Sequence, residues 1–134
     1  MLFGDEHVRR YRETGGEEGY EWNGVKTLIL TTTGRHSGLE RSKPLILGED
    51  RDRFVVVASK GGAPHHPAWY LNLASDPEVE VQVKDDVFTA RARTAEGEER
   101  ERLWKLMAGI WPAYDEYQSK TDRVIPVVVL ERAS

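Results

Sequence analysis

Short apolar runs with the period of β-strands, rather than of helices, dominate the chain. Several are rich in β-branched residues and are separated by turns that contain glycine, which is typical of strands joined by hairpins. Val79, Val81 and Val83 alternate with polar residues, so their side chains are predicted to face one buried side of a sheet. We predict that the first three strands form an antiparallel meander. The six predicted strands are Lys26–Thr33, Arg41–Leu47, Arg53–Ser59, Val79–Lys84, Val87–Thr94 and Ile125–Glu131.

Helical signals occupy much of the remaining chain. Pro67 begins an apolar segment that ends before Pro77, because a residue preceding proline avoids helical backbone angles. Thr94 is predicted to cap a longer amphipathic helix, which Pro112 ends. The other predicted helices are Asp5–Glu13 and a short one through Gln118. These elements predict an α+β fold: a small barrel of about six mainly antiparallel strands with peripheral helices, in a single domain over 1–134. Residues 1–21 have the weakest structural signal.

Composition and charge narrow the class of protein. The chain has 134 residues, of which 39% are hydrophobic and 31% charged, as in an ordinary globular domain. The net charge of −4 argues against nucleic acid as a partner. The chain has no cysteine, which excludes disulfides and zinc–thiolate sites and fits the cytoplasm. No segment has the length and apolarity of a transmembrane helix, so we expect a cytoplasmic protein and leave peripheral membrane contact open.

The common catalytic motifs are absent. The chain contains no G-x-G-x-x-G fingerprint, no Walker A sequence and no G-x-S-x-G elbow. The four histidines show no spacing typical of metal ligands, so we expect no metal.

A set of basic residues remains as the candidate binding chemistry. The meander would bring the turn after the first strand close to the end of the third, so that Arg35 and His36 approach Lys60. Glycines follow Lys60 and expose backbone N–H groups, and the helix after Pro67 would point its N-terminus at the same region, which favours an anion. The alternative is that both loops are ordinary turns with solvated charges. The basic residues are Arg35, Arg41, Lys43 and Lys60.

Aromatic residues at helical spacing lie beside this basic set. Trp69 shares a helix face with Asn72, and Tyr114 shares one with Tyr117. Such rings more often pack in a core than bind a cofactor, and that alternative stays open. Together the two groups predict a polyanionic ligand that carries a flat ring, bound at one end of the barrel.

Four blocks of the chain resemble the deazaflavin-dependent nitroreductase family, whose members use reduced coenzyme F420. The blocks are TTTGRHSGLERSKPL, VVVASKGG followed by HPAWYLNL, PEVEVQVKDDVFTARA and WPAYDEYQSKTDRVIPVVVLE. They occur in the same order as in the family, from about Trp22 to Glu131. The resemblance implies a split β-barrel fold.

The resemblance also implies cofactor contacts. The first block would surround the phosphate and the oligoglutamate tail, where His36 stands in place of the lysine or arginine common in the family. The second would border the ring and its side chain. The implied cofactor-binding residues are Arg35, His36, Ser37, Gly38, Arg41, Lys43, Pro44, Ala58, Ser59, Lys60, Gly61, Gly62, Trp69 and Asn72.

The implied activity is hydride transfer from reduced F420 to a small-molecule acceptor. Activated alkenes (enones and unsaturated lactones), nitroaromatics and quinones are the acceptors that the resemblance suggests. Tyr114, Tyr117 and Ser59 are candidate donors of a hydrogen bond to the acceptor oxygen. A non-catalytic deazaflavin carrier and an FMN-dependent split-barrel reductase are the alternatives, and a homodimer is possible.

Overall fold

A computed structural model describes residues 1–133 and has four helices and eight strands. All six predicted strands are present, and two further short strands, β1 and β4, lie in segments for which no strand was predicted. The helices are α1 (Gly4–Thr14), α2 (Ala68–Ser75), α3 (Gly97–Ile110) and α4 (Ala113–Ser119). The strands are β1 (Glu21–Trp22), β2 (Val25–Thr33), β3 (Glu40–Ile46), β4 (Gly48–Asp50), β5 (Arg53–Val57), β6 (Glu78–Val83), β7 (Asp86–Thr94) and β8 (Val127–Arg132).

The strands form one curled antiparallel sheet in the order β1-β2-β6-β7-β8-β5-β4, with β3 paired to β2. Ile29, Leu30 and Thr31 pair with both β3 and β6, so β3 lies on the side of β2 opposite β6. No ladder joins β3 to β5 within residues 1–133. The barrel is therefore split along that line. The predicted α+β split barrel is confirmed.

The predicted three-strand meander is wrong in its second step. The strand at Arg41–Leu47 pairs with the first strand as expected, but the third strand pairs with β4 and β8. The segment between β3 and the third predicted strand contributes β4, which forms a hairpin with β5 and places β5 away from β3. The consequence is a cleft where the meander would have had a closed ladder.

Apolar layers on both faces of β5 and β8 explain the continuous runs of valine in these strands. Val56 and Val128 face the barrel interior, whereas Val55, Val127 and Val129 face the other way and pack under α3 and α4. Both faces of these strands are buried, so alternation with polar residues is lost.

Most predicted helix ends are confirmed. Pro67 precedes α2, and Pro112 separates α3 from α4. Thr94 does not cap α3, because it still belongs to β7, where it pairs with Val128; the cap position is Glu96. None of the helices in residues 1–133 is both long and apolar enough to cross a bilayer.

Helix α1 is fastened to the barrel by one buried phenol. Tyr11 is fully buried, and its hydroxyl donates to the Thr27 carbonyl at 2.9 Å and accepts from the Lys84 N–H at 2.8 Å. Burial raises the pKa of Tyr11 to about 12. The helix predicted at Asp5–Glu13 is thus a packed element of the domain.

Candidate active site

The split between β3 and β5 opens into a cavity of about 650 Å³. The start of α2, helix α4 and the N-terminal segment close its remaining sides. A volume of this size is typical of a cofactor or small-molecule site. The lining residues include Phe3, His7, Trp22, Lys43, Pro44, Ser59, Lys60, Gly61, Pro67, Ala68, Trp69, Trp111, Tyr114 and Tyr117.

One wall of the cavity is a loop with an uncommon backbone conformation. Ser59 is right-handed, and Lys60, Gly61 and Gly62 follow with φ of 46°, 62° and 83°. A right-handed residue followed by a left-handed one turns successive N–H groups to one side and forms an anion-binding concavity. The N–H groups of Lys60 and Gly61 have no acceptor among residues 1–133. The loop therefore offers two bare donors and an ammonium group at the cavity.

Gly62 lies under helix α4 and does not line the cavity. A Cβ at this position would come within 2.6 Å of the Tyr117 carbonyl oxygen. The predicted approach of bare backbone to a ligand therefore applies to Gly61, while Gly62 allows close packing of α4 on the loop.

Further positive charge comes from the neighbouring elements. Lys43 of β3 reaches the cavity, and Pro67 and Ala68 place the first turn of α2 against it. The positive end of a helix dipole favours an anion. Two lysines, backbone N–H groups and the start of α2 therefore border the same cavity.

The tyrosines of α4 form the opposite wall. The ring centroids of Tyr114 and Tyr117 are 6.1 Å apart, and Tyr114 is only 5% exposed. Burial raises the pKa of Tyr114, so its phenol stays protonated and can only donate to an anionic oxygen. Neither hydroxyl, nor that of Ser59, is bonded to any of residues 1–133, and all three residues line the cavity.

The N-terminal segment supplies an aromatic wall that the sequence analysis did not assign to the site. Trp22 contacts Phe3 and Trp111 at centroid distances of 5.8 and 6.1 Å, and His7 lies 6.4 Å away. The Trp22 indole N–H donates to the Leu2 carbonyl, and His7 Nε2 lies 2.8 Å from the Gly19 carbonyl oxygen. The only sequence signal was the density of aromatic residues at the two ends of the chain.

Several predicted site residues lie elsewhere. The Gly34–Gly38 turn is exposed and outside the cavity, and it carries Arg35, His36 and Ser37. Arg35 does not line the cavity with Lys60 but binds the buried Asn72 amide oxygen through Nη1 at 2.9 Å.

Asn72 and Ala58 are buried and take no part in the cavity lining. Arg41 lies in a second groove, between α1 and β3, that shares Lys43 with the cavity. Pro44 and Trp69 line the cavity as expected.

Comparison with known proteins identifies the family. The model of the F420H(2)-dependent quinone reductase family matches residues 4–132. The chain belongs to this family. It is 38% identical over 130 residues to an F420H(2)-dependent quinone reductase of Mycobacterium tuberculosis, with 94% of this chain and 87% of the relative covered.

Solved structures agree with this membership. An F420H2-dependent reductase, FDR-A, matches with a TM-score of 0.73 and 49% identity over 78% of this chain and 93% of that one. A structure described as a domain-swapped dimer matches with a TM-score of 0.77 and 43% identity over 92% of both chains. The protein is thus an F420H2-dependent oxidoreductase, and the carrier and FMN alternatives fall away.

The cavity of this quinone reductase family member fits its cofactor. Coenzyme F420 combines a flat tricyclic ring with anionic phosphate and carboxylate groups. The site combines aromatic walls with Lys43, Lys60 and the bare N–H groups of the Ser59–Gly61 loop. The aromatic walls can pack against the ring, and the lysines and N–H groups can bind the anionic groups.

Proposed function

We propose that the cavity binds reduced F420 together with an electron-poor acceptor, and that quinones, enones, unsaturated lactones and nitroaromatics are the acceptor class. One observation carries the proposal. The cavity joins a cationic, N–H-lined loop to a wall of aromatic rings whose hydroxyl groups have no partner within residues 1–133. The first half suits the cofactor, and the second suits a flat acceptor with a carbonyl or nitro oxygen.

Lys60, Gly61, Lys43 and the first turn of α2 would hold the cofactor's polar groups, with Pro44 and Trp69 against its ring. When bound, reduced F420 supplies a hydride from its C5 carbon. The protein's task is then to hold the acceptor carbon within reach of that position and to exclude water.

Tyr114, Tyr117 and Ser59 are the proposed donors to the acceptor oxygen. Hydride addition leaves negative charge on that oxygen, and a donor in place before the reaction stabilises the charge as it develops. Tyr114 suits this role because burial raises its pKa and keeps the phenol protonated. For a quinone, the hydride and one proton together give the hydroquinone, and we assign that proton to water because burial keeps the Tyr114 phenol protonated.

The aromatic wall favours quinones among the acceptors. Phe3, Trp22 and Trp111 present ring faces and edges against which another flat ring can pack. The relative from Mycobacterium tuberculosis is named a quinone reductase, which supports the same choice.

The remaining implied cofactor contacts stay proposals for the anionic tail. Arg41 lies next to Lys43 in the groove between α1 and β3, so a tail that leaves the cavity past Lys43 would meet it. Arg35, His36, Ser37 and Gly38 would contact only a tail that extends past α2, where Arg35 binds Asn72.

Steady-state oxidation of reduced F420 tests the proposed acceptors. A benzoquinone, a cyclic enone, an unsaturated lactone and a nitroaromatic are compared at equal concentration, with the acceptor omitted as the control. We expect acceptor-dependent turnover, fastest with the quinone. Turnover that does not depend on the acceptor would contradict the proposal.

Assembly and location are also proposals. A homodimer is suggested by the structure described as a domain-swapped dimer and by the exposed side chains of Leu39 and Val124. Sedimentation across a range of concentrations tests it. A cytoplasmic location would be tested by fractionation of cells that express the protein.

A further inference from the structure

Arg123, in the segment between α4 and β8, binds the backbone of the cavity loop. Its Nε donates to the Ala63 carbonyl at 2.7 Å, and its Nη2 donates to the Ser59 carbonyl at 2.7 Å. Its Nη1 donates to the Ala58 carbonyl at 3.2 Å and to His66 Nδ1 at 3.1 Å. One guanidinium therefore fastens the beginning, middle and end of the 58–66 segment.

We propose that Arg123 is a positioning residue for the cofactor site. By holding the carbonyl groups of Ala58, Ser59 and Ala63 outside the cavity, it keeps the Lys60 and Gly61 N–H groups turned inward. The inference rests on the proposed function, in which these groups bind the cofactor.

The loop conformation explains why such a brace is needed. Lys60 has φ of 46°, and a side chain in the left-handed region costs free energy that surrounding contacts must offset. Within the loop, only the Gly62 N–H to the Ser59 carbonyl at 2.9 Å and the Ala63 N–H to the Lys60 carbonyl at 3.1 Å resist its relaxation. Arg123 adds bonds to two of the same residues, Ser59 and Ala63.

The chemistry of arginine suits this role better than that of lysine. A guanidinium presents donors in a rigid planar fork, so it reaches several carbonyl groups at once. No carboxylate among residues 1–133 forms an ion pair with Arg123. Its charge is therefore left uncompensated beside the cavity, where it adds to the positive potential that an anionic ligand meets.

Arg123 also connects the loop to the tyrosine wall. Gln118, on α4, donates through Nε2 to the Arg123 carbonyl at 2.8 Å, and its Oε1 accepts from the Ile125 N–H at 2.9 Å. The same helix packs on Gly62 through Tyr117. Gln118 thus holds the segment that carries Arg123 against the helix that carries the proposed donors.

Three measurements test the proposal. They are calorimetry of oxidised F420 binding, the melting temperature of the protein and amide hydrogen exchange of the 58–66 segment. Arg123→Ala should weaken binding about tenfold to hundredfold and speed exchange at Gly62 and Ala63 in the protein without ligand. Arg123→Lys should restore only a small part of both, because it keeps the charge and loses the fork. Full restoration of binding by the lysine would overturn the positioning role in favour of a charge effect.

Arg100→Ala is the matched control. Arg100 is also half-buried and donates through Nη2 to a backbone carbonyl, that of Ile125, at 2.8 Å, but it binds no carbonyl group of the 58–66 segment. The Arg100→Ala variant loosens the segment that carries Arg123 without removing a bond to the loop, so it should lower the melting temperature and change binding and the 58–66 exchange no more than Gln118→Ala does. Equal weakening of binding by Arg100→Ala, or an unchanged affinity in Arg123→Ala below its melting temperature, would overturn the proposal.

Gln118→Ala is a milder variant that keeps the test decisive if Arg123→Ala fails to fold. It removes the support of Arg123 without touching the loop, and we expect weaker binding by about threefold to tenfold with faster exchange at Gly62. Unchanged exchange would count against the proposal. The exchange measurement needs no ligand, so it separates a failure of this inference from a failure of Lys60 to bind the cofactor.

Discussion

Charged groups have very different partners in two regions of the barrel. Beside α3, Asp50 accepts from Arg102 at 2.8 and 3.1 Å and from Arg53 at 2.5 Å. In the same network Arg93 pairs with Glu99 at 2.6 Å and with Glu131 at 2.9 Å. Its donors and acceptors pair with one another, so the network is structural.

The cavity side has the opposite character. Lys60 forms no ion pair with any of residues 1–133, and the cavity-lining residues Tyr114 and Ser59 have hydroxyl groups with no hydrogen bond to those residues. Unpaired polar groups beside a positive-φ loop do not stabilise a fold. The contrast indicates that the network stabilises the fold and that the cavity is suited to bind a ligand.

The largest expected effect is on stability, from Asp50→Ala. The carboxylate is nearly buried, and its removal leaves Arg53 and Arg102 without their shared partner, so the free energy of unfolding should fall by about 3 kcal/mol. Urea unfolding measures it. The control Asp86→Ala removes an exposed pair with Arg132 and should cost less than about 1 kcal/mol. A large loss of F420 affinity in Asp50→Ala would contradict the assignment of stability to the network and of ligand binding to the cavity.

Lys60→Ala should show the reverse pattern. The loss of a charge-assisted contact should weaken F420 binding by about 1.5–3 kcal/mol with little change in stability. The loss should be smaller at high salt if the ammonium acts as an exposed charge. Calorimetry at low and high salt measures both, and Lys105→Ala on the exposed side of α3 is the control. An unchanged dissociation constant at low salt would remove Lys60 from the site.

Tyr114→Phe should affect turnover alone. The variant keeps the ring and loses the hydroxyl. The activation free energy with a quinone or an enone should therefore rise by about 1–3 kcal/mol, so that kcat falls while F420 affinity stays the same. Tyr70→Phe, which loses only a bond to Thr94 outside the cavity, should be silent. If Tyr114→Phe turns over at the parent rate, Tyr117 or Ser59 becomes the proposed donor.

As the pH falls, the cavity loop beside His66 should be affected before the ion-pair network around Asp50. Burial, and to a lesser extent the charge of Arg123, lower the pKa of His66, which packs on Tyr70. Because the folded-state pKa lies below the ordinary value of about 6.5, the contribution of His66 is complete above that pH and is lost as pH falls below it. F420 affinity should therefore decline only as the pH approaches the lowered folded-state pKa of His66, and His66→Phe should flatten that decline.

The network responds to pH only under stronger acid. Hydrogen bonds from Arg102 and Arg53 hold the pKa of Asp50 well below its ordinary range, and Arg93 lowers that of Glu99. Their contribution is complete above about pH 4–5 and is lost as pH falls further. Unfolding followed by tryptophan fluorescence should show the melting temperature falling mainly below that pH. A fall below about pH 4 that is smaller than the fall across the histidine transition would contradict this order.

The positions of the strands and helices followed from local sequence. Alternation along Val79–Lys84, β-branched runs and the prolines at positions 67, 77 and 112 each act on the backbone of their own neighbourhood, so they were readable without a fold. The two strands that were missed, β1 and β4, have only two and three residues. The family was readable because its motifs are contiguous.

The tertiary structure decided that β5 pairs with β8, that the barrel is split beside β3 and which residues line the cavity. Strand pairing depends on which distant segments meet, and the same valine run fits more than one neighbour. The Trp22–Trp111 contact joins the two ends of the chain, and Arg123 binds carbonyl groups that every residue possesses. A contact of that kind leaves no pattern in the sequence, because its partner is the backbone at a place that only the fold brings near.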